Sequence, residues 1–279
     1  MRLRDLAELV RAPAALSVPG DAIAGAAAAG TLGPATPALA AASVCLYWGG
    51  MAANDWADRD LDAHERPERP IPSGRVSPRQ ALLTAAGLTG AGVLIATLAG
   101  GRRAAAVAVP LAGAVWAYDL WAKNTAAGPV MMAACRGLDV LLGASRGAVR
   151  RAVPAALTVA AHTYTVTALS RAEVSGAAPA LPAATLAGTL ALAATTAGRR
   201  PGPAGVLAAW YAAGYGTAQA RAFTDPAAPR VRAAVGAGIT GLPPLQGALI
   251  ARSGRPVHGV AVALAAPLAR RLARRVSPT

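Results

Sequence analysis

The chain has 279 residues, of which 54% are hydrophobic and only 14% charged, with a mean hydropathy of +0.41 and a formal net charge of +14. Soluble domains average about 25% charged residues, so a soluble globular class is excluded, and apolar runs of membrane-crossing length recur from end to end. A pI near 11.4 would suit a nucleic-acid partner, but the basic residues are scattered among short loops, which points to anionic lipid headgroups and away from nucleic acid.

In chain order, the N-terminal MRLRDLAELVR is basic and amphipathic. The apolar run behind it contains Pro13, Pro19 and Asp21 without a clear cleavage site, so it reads as retained. A membrane helix needs roughly 20 mostly apolar residues, and ten segments approach that length: residues 12–33, 37–54, 79–100, 104–121, 128–145, 152–169, 179–197, 203–222, 231–251 and 256–272. They are rich in Ala and Gly, which suits close helix packing in lipid. The expected architecture is one membrane domain over residues 1–279, an all-α polytopic bundle of nine or ten helices, with 152–169 and 256–272 the shortest candidates.

Cytoplasmic loops carry the excess of Lys and Arg. With ten spans, most of the 27 basic residues fall on one side: the N-terminus, the 55–78 loop, Lys123, Arg171, the 221–232 loop, and Arg270, Arg271, Arg274 and Arg275. That side is therefore read as cytoplasmic, for an integral protein of a bacterial-type cytoplasmic membrane. Cys45 and Cys135 lie in apolar segments without CxxC spacing and read as small buried hydrophobes.

The second span ends in NDWADRDLDAHERPERPIPSGR, where six of the 13 acidic residues lie between Asp55 and Glu68. Asp55, Asp58 and Asp62 stand at i, i+3 and i+7, one face of a helix. Carboxylates crowded in that way repel unless a cation sits among them, and hard oxygen donors suit Mg²⁺, which is usually held by one or two carboxylates plus substrate phosphates. The competing reading is a solvated acidic loop neutralised by Arg59, Arg66, Arg69 and Arg75. Asn54 adds an amide that could bind a ligand oxygen or orient Asp58. Asp60, Glu65 and Glu68 are expected to be dispensable. The prolines after Arg66 forbid further helix, and arginine forks such as Arg66 and Arg69 fit phosphate oxygens.

The fourth span ends in YDLWAKN, with Tyr118 and with Lys123, the only lysine of the chain. A compact ammonium where Arg serves everywhere else invites a phosphate role. The fifth span carries Arg136 and Asp139 at membrane depth, where charges pair or mark a pathway. They read either as a structural ion pair or as Arg136 reaching bound phosphate with Asp139 holding it. The sixth ends in LSRAEVSG, offering Arg171 and one acid, Glu173. Asp21, His162, Tyr164 and Gln246 read mainly as structural hydrogen bonding within spans. Three polar stations at alternate loops suggest one site built from three loops.

These motifs resemble the UbiA family of intramembrane prenyltransferases. NDWADRDLD is similar to the family's first signature, RPERPIPSGR to the stretch after it, and YDLWAKN to its tyrosine and lysine; KNTAAGPVMMAACRGLDVLLGAS and LSRAEVSG look most like the EboC-like subgroup. The resemblance implies a bundle of usually nine helices around a central cavity. It also implies an isoprenyl diphosphate donor, bound through Mg²⁺ to aspartates of two motifs, and transfer of the prenyl group to an acceptor. Carried over, Asp55, Asp58, Asp62 and Lys123 are the catalytic candidates. Asn54, Arg66, Arg69, Tyr118, Lys123, Arg136 and Arg171 bind diphosphate, and Asp55, Asp58, Asp62 and Glu173 hold metal. The second family motif is typically a DxxxD-like cluster, and here Glu173 is its sole acid. An intramembrane terpene cyclase and a transporter or binder of an anionic lipid headgroup are the alternatives. The 4% aromatic content favours a non-aromatic acceptor.

Overall fold

The computed structural model describes residues 1–198 and 201–267, and its regular elements among these residues are all helical. Helix α1 (Leu3–Leu9) and a 3-10 turn (Ala12–Ser17) lead into α2 (Pro19–Ala29), α3 (Thr36–Ala57), α4 (Arg59–Glu65) and α5 (Pro78–Ala117). Then follow α6 (Gly128–Gly143), α7 (Val149–Ser170), α8 (Ala180–Ala197), α9 (Pro203–Tyr211), α10 (Thr217–Thr224), α11 (Ala228–Arg252) and α12 (Pro256–Ala263). Two π turns, Tyr118–Ala122 and Ala212–Gly216, extend α5 and join α9 to α10.

Helix α5 is two arms folded into a hairpin. Ser77 and Gln80 exchange capping hydrogen bonds at its start, with Pro78 in the first turn. At Gly101 the backbone turns to φ 64°, ψ −156°, outside helical space and accessible to glycine. A straight helix would set residues 27 apart some ~40 Å from each other. Instead, Trp116 Nε1 donates to Thr89 Oγ1 at 3.1 Å, so the arms run antiparallel and match the separate 79–100 and 104–121 segments.

Among the described residues, four helical stretches are long and apolar enough to cross a membrane on hydropathy: Pro78–Ala122, Val149–Ser170, Ala180–Ala197 and Ala228–Arg252. Helix α2, with 11 residues, is too short to be one of them; it is enclosed by α3, α6, α7 and α11, and most of its Ala and Gly positions are buried. Its closest partner is α6. A Cβ at Gly25 would overlap the Val140 carbonyl oxygen, and one at Gly143 would overlap that of Ala22, so backbone touches backbone from both sides. We expect Gly143→Ala to cost about 1–3 kcal/mol or more through overpacking, read as a lowered midpoint in thermal unfolding of the detergent-solubilised protein.

The last candidate segment, 256–272, falls short of a crossing in its described part. Helix α12 spans eight residues, about 12 Å at the α-helical rise against a hydrocarbon core of about 30 Å. It packs on α11, where Gly247 and Gly259 are in mutual backbone contact. The remainder of that segment, with Arg270 and Arg271, lies outside the described residues, as do Arg274 and Arg275 after it.

The three polar stations gather at one end of the bundle. Arg171, at the C-terminus of α7, donates to the backbone oxygen of Thr125 at 2.7 Å, and Arg232 of α11 donates to that of Glu173 at 3.3 Å. Arg146 bonds Ala99 and Arg252 bonds Thr195 at the opposite end. In the second half, buried His162 meets Tyr211 Oη at 3.0 Å, and Tyr215 Oη meets Thr165 at 3.1 Å, so these polar side chains serve packing. Tyr164, by contrast, is exposed.

Candidate active site

Helix α3 loses regularity at Asp58 (φ −89°, ψ 3°), and α4 starts one residue later. This break divides the i, i+3, i+7 face. Asp55 and Asp62 face a common partner, Arg69, at 3.4 and 2.6 Å, whereas Asp58 pairs with Lys123 Nζ at 2.6 Å. Asp55 is additionally held by Arg11 at 2.7 Å. Asp55 and Asp62 are buried, and Asp58 and Lys123 are partly so, with side-chain exposures of 23% and 12%. The one-residue break thus splits three aspartates between an arginine clamp and a lysine just past the π turn after α5.

Arg69 reaches both carboxylates because the chain turns back after α4. Arg66 adopts φ −145°, and Pro67, Pro70 and Pro72 prevent helix continuation. The loop is fastened at its far end by Arg75, whose guanidinium grips Glu8 at 2.6 and 2.8 Å and reaches Asp5 at 3.2 Å. The Arg75 hydrogen bonds hold Glu8 below its ordinary carboxylate value of 4.5. Since the folded value is depressed, the stabilisation is present above the ordinary value and lost as pH falls through the lowered one. The protection factors of the Leu3–Leu9 amides, taken relative to intrinsic exchange at each pH, are therefore expected to fall on acidification through that range, and Arg75→Gln should produce the same fall at neutral pH.

Behind the mouth lies a partly open cavity between α3, α5 and α6. Its walls are mainly apolar, with Leu46, Met51, Leu111, Val115 and Met132 among them. Tyr118 and Asp119 line it from the π turn after α5, in which Lys123 N donates to Tyr118 O at 2.9 Å. Asn54 Nδ2 donates to Asp119 Oδ1 at 3.2 Å. Deeper in, Arg136 and Asp139 both line the cavity but have separate partners. Arg136 pairs with Asp21 of α2 at 2.8 Å, and Asp139 accepts from Ser43 at 2.5 Å. Gln246 completes this layer by donating to Asp21 at 2.6 Å. The expectation that Asp139 holds Arg136 is thereby corrected: the central helix carries the direct partner, a residue 115 positions upstream.

Residues 19–171 match the model of the UbiA prenyltransferase family. The chain belongs to this family. It is 40% identical over 159 residues to the digeranylgeranylglyceryl phosphate synthase of Methanopyrus kandleri, covering 55% of this chain and 56% of that one. It is 35% identical over 144 residues to the synthase of the same name from Natronomonas pharaonis, covering 51% and 52%. The matched part spans about half the length of these curated relatives. In fold, the chain resembles a UbiA homologue from Aeropyrum pernix K1 with TM-score 0.64 at 22% identity, over 85% of this chain and 96% of that one. It also resembles a UbiA homologue from Archaeoglobus fulgidus bound to GPP and Mg²⁺, with TM-score 0.56 at 14% identity over 93% and 99%.

Within this UbiA bundle the first and second stations join directly, through Asp58 with Lys123 and Asn54 with Asp119. The third touches them through the backbone, because Arg171 bonds the Lys123 and Thr125 carbonyls at 3.4 and 2.7 Å. Among the described residues, the Glu173 carboxylate has no ion pair and Arg66 stays exposed without one. Sequence reasoning missed two members of the site. Arg11 lies in an amphipathic leader 44 positions before its partner Asp55. It is also the one non-glycine residue at positive φ among the described residues, at 47°, a strained conformation that clusters at functional sites. Asp119 was in view beside Tyr118, and its acidity in an apolar span end was the available signal.

Among the described residues no three Asp, Glu, His or Cys side chains converge into a ready-made metal centre. Mg²⁺ takes one or two carboxylates and completes its shell with phosphate oxygens and water. The donors at the mouth are all oxygens, and they stand over an apolar cavity, so the residues present fit this ion.

Proposed function

We propose that the chain is an intramembrane prenyltransferase that binds an isoprenyl diphosphate with Mg²⁺ and transfers the prenyl group to a non-aromatic acceptor. The observation that carries this reading is the mouth itself: Asp55, Asp58 and Asp62 interleaved with Arg11, Arg69 and Lys123 above an apolar cavity. The relatives named digeranylgeranylglyceryl phosphate synthase and the homologue bound to GPP and Mg²⁺ support it.

Asp58, the most accessible of the three aspartates, would hold the metal, with Asp55, Asp62 and Glu173 completing the sequence-assigned set. Mg²⁺ bound there would neutralise charge developing on the departing diphosphate. Lys123, freed from Asp58 as the diphosphate enters, donates to phosphate oxygens. Arg69 can turn from its two carboxylates to the same oxygens, joined by Arg66 and Arg171 from the loops. Tyr118 and Asn54 orient the head. Arg136 stands deeper and holds the cavity floor. The prenyl tail lies along Leu46, Leu111 and Val115, whose apolar surface keeps water from the allylic cation until the acceptor attacks it. Charge placement supports a cytoplasmic mouth in a bacterial-type membrane.

The test is incubation of the purified protein in nanodiscs with Mg²⁺ and radiolabelled prenyl diphosphates, with and without a lipid extract. A new labelled lipid that requires both extract and Mg²⁺ is expected. Product without extract would reassign the protein as a cyclase. Absence of diphosphate release in every condition would overturn the proposal in favour of anionic-lipid binding or transport.

A further inference from the structure

The carboxylates at the mouth are unevenly paired. Among the described residues, Asp55 has Arg11 and Arg69, Asp62 has Arg69, and Asp58 has Lys123. Asp119 is 2% exposed, lines the cavity, and has no Lys or Arg within ion-pair distance among them. Its one hydrogen bond among the described residues is the neutral Asn54 amide on Oδ1, which leaves Oδ2 without a donor. A buried carboxylate in that state is costly when ionised, and the cost is lifted by a proton or by an arriving cation. Local geometry aims it at the site. Asn54 and Asp58 are four apart on the final turn of α3, linked by the Asp58 N to Asn54 O bond of 3.0 Å, so they share a face. Asn54 holds Asp119 in the π turn, a rare element frequent at functional sites, and Asp58 holds Lys123, which caps that turn. Across the mouth, the third loop offers a single acid, Glu173, and sends Arg171 toward the Lys123 and Thr125 carbonyls.

We infer that Asp119 is a divalent-cation ligand of this site: with Asp58, it holds one cation and supplies the charge that the acid-poor third loop lacks. The inference rests on the prenyl-diphosphate reading of the same mouth. It assigns the second carboxylate to the α5 end, next to Tyr118, in place of the loop after α7.

The test uses the full chain in nanodiscs and Mn²⁺ as the probe, titrated by electron paramagnetic resonance with inorganic diphosphate present. Even outer-shell substitutions weaken metal sites about 10–100-fold, so Asp119→Asn should weaken Mn²⁺ by at least about tenfold, Asp119→Glu by less, and Asp60→Asn not at all. A second measurement needs no variant: carbodiimide labelling of Asp119 in the wild-type chain, read by mass spectrometry, should be suppressed by Mg²⁺ plus diphosphate. Unchanged Mn²⁺ affinity in folded Asp119→Asn, or labelling that Mg²⁺ leaves unaltered, overturns the inference. Turnover of labelled geranyl diphosphate by the wild type is scored separately. Turnover with unchanged Mn²⁺ binding in the variant removes Asp119 alone, whereas lost Mn²⁺ binding without any wild-type turnover keeps the metal site and removes prenyl transfer.

Discussion

Asp58→Ala is expected to lower prenyl-diphosphate turnover by about a thousandfold, the upper range for loss of one group that stabilises developing charge. Two effects combine. The substitution removes the most accessible aspartate of the mouth, and it leaves Lys123, only 12% exposed, without its partner at 2.6 Å. These effects separate in a double variant. Asp58→Ala/Lys123→Ala removes the orphaned cation and should recover the thermal stability lost by the single change, because breaking one side of a shielded pair costs more than deleting both. Turnover should stay at the level of the single variant or lower. Recovery of turnover in the double variant would mean that Asp58 only positions Lys123. Diphosphate release is the assay, with unfolding midpoints in the same detergent as the stability readout.

Arg136→Met should give the largest loss of stability of any single substitution in the bundle, about 3–5 kcal/mol from an uncompensated buried charge. Its partner Asp21 is fully buried on α2, and that carboxylate also accepts from Gln246 of α11, whose amide bonds the Ser17 backbone at 2.8 Å. One guanidinium thus anchors the central helix to α6, with α11 attached through the amide. Adding Asp21→Asn to Arg136→Met removes the stranded charge and should restore most of the loss. Equal instability in the single and double variants would show that side-chain volume, not charge, governs this layer. The measurement is chemical unfolding in mixed micelles followed by tryptophan fluorescence.

Both variants probe contacts that local patterns cannot reveal. The i, i+3 spacing of Arg136 and Asp139 suggested a pair within α6, yet each turned to another helix, Arg136 to Asp21 and Asp139 to Ser43. Helical spacing says which side chains share a face. Which partner that face meets depends on crossing points, and these depend on where glycines such as Gly25 and Gly143 let backbones touch. Arg11 was illegible for the same reason, since nothing in an amphipathic leader announces a carboxylate 44 residues away. The hairpin at Gly101 falls between the 79–100 and 104–121 segments that the sequence already separated.

Composition and run length together made this an all-helical membrane protein, because only helices and closed barrels satisfy the backbone in lipid, and continuous apolar runs near 20 residues suit helices where barrel strands would be short and alternating. The chemistry of the mouth was also written locally, in NDWADRDLD, RPERPIPSGR and YDLWAKN, since oxygen donors, guanidiniums and a single lysine keep their character in any fold. The division of labour among them was a tertiary matter. The break at Asp58 sent Asp55 and Asp62 to Arg69 and Asp58 to Lys123, and the π turn after α5 brought Asp119 beside Asn54. Those pairings depend on helix ends meeting across the bundle, where a one-residue shift in phase exchanges one neighbour for another.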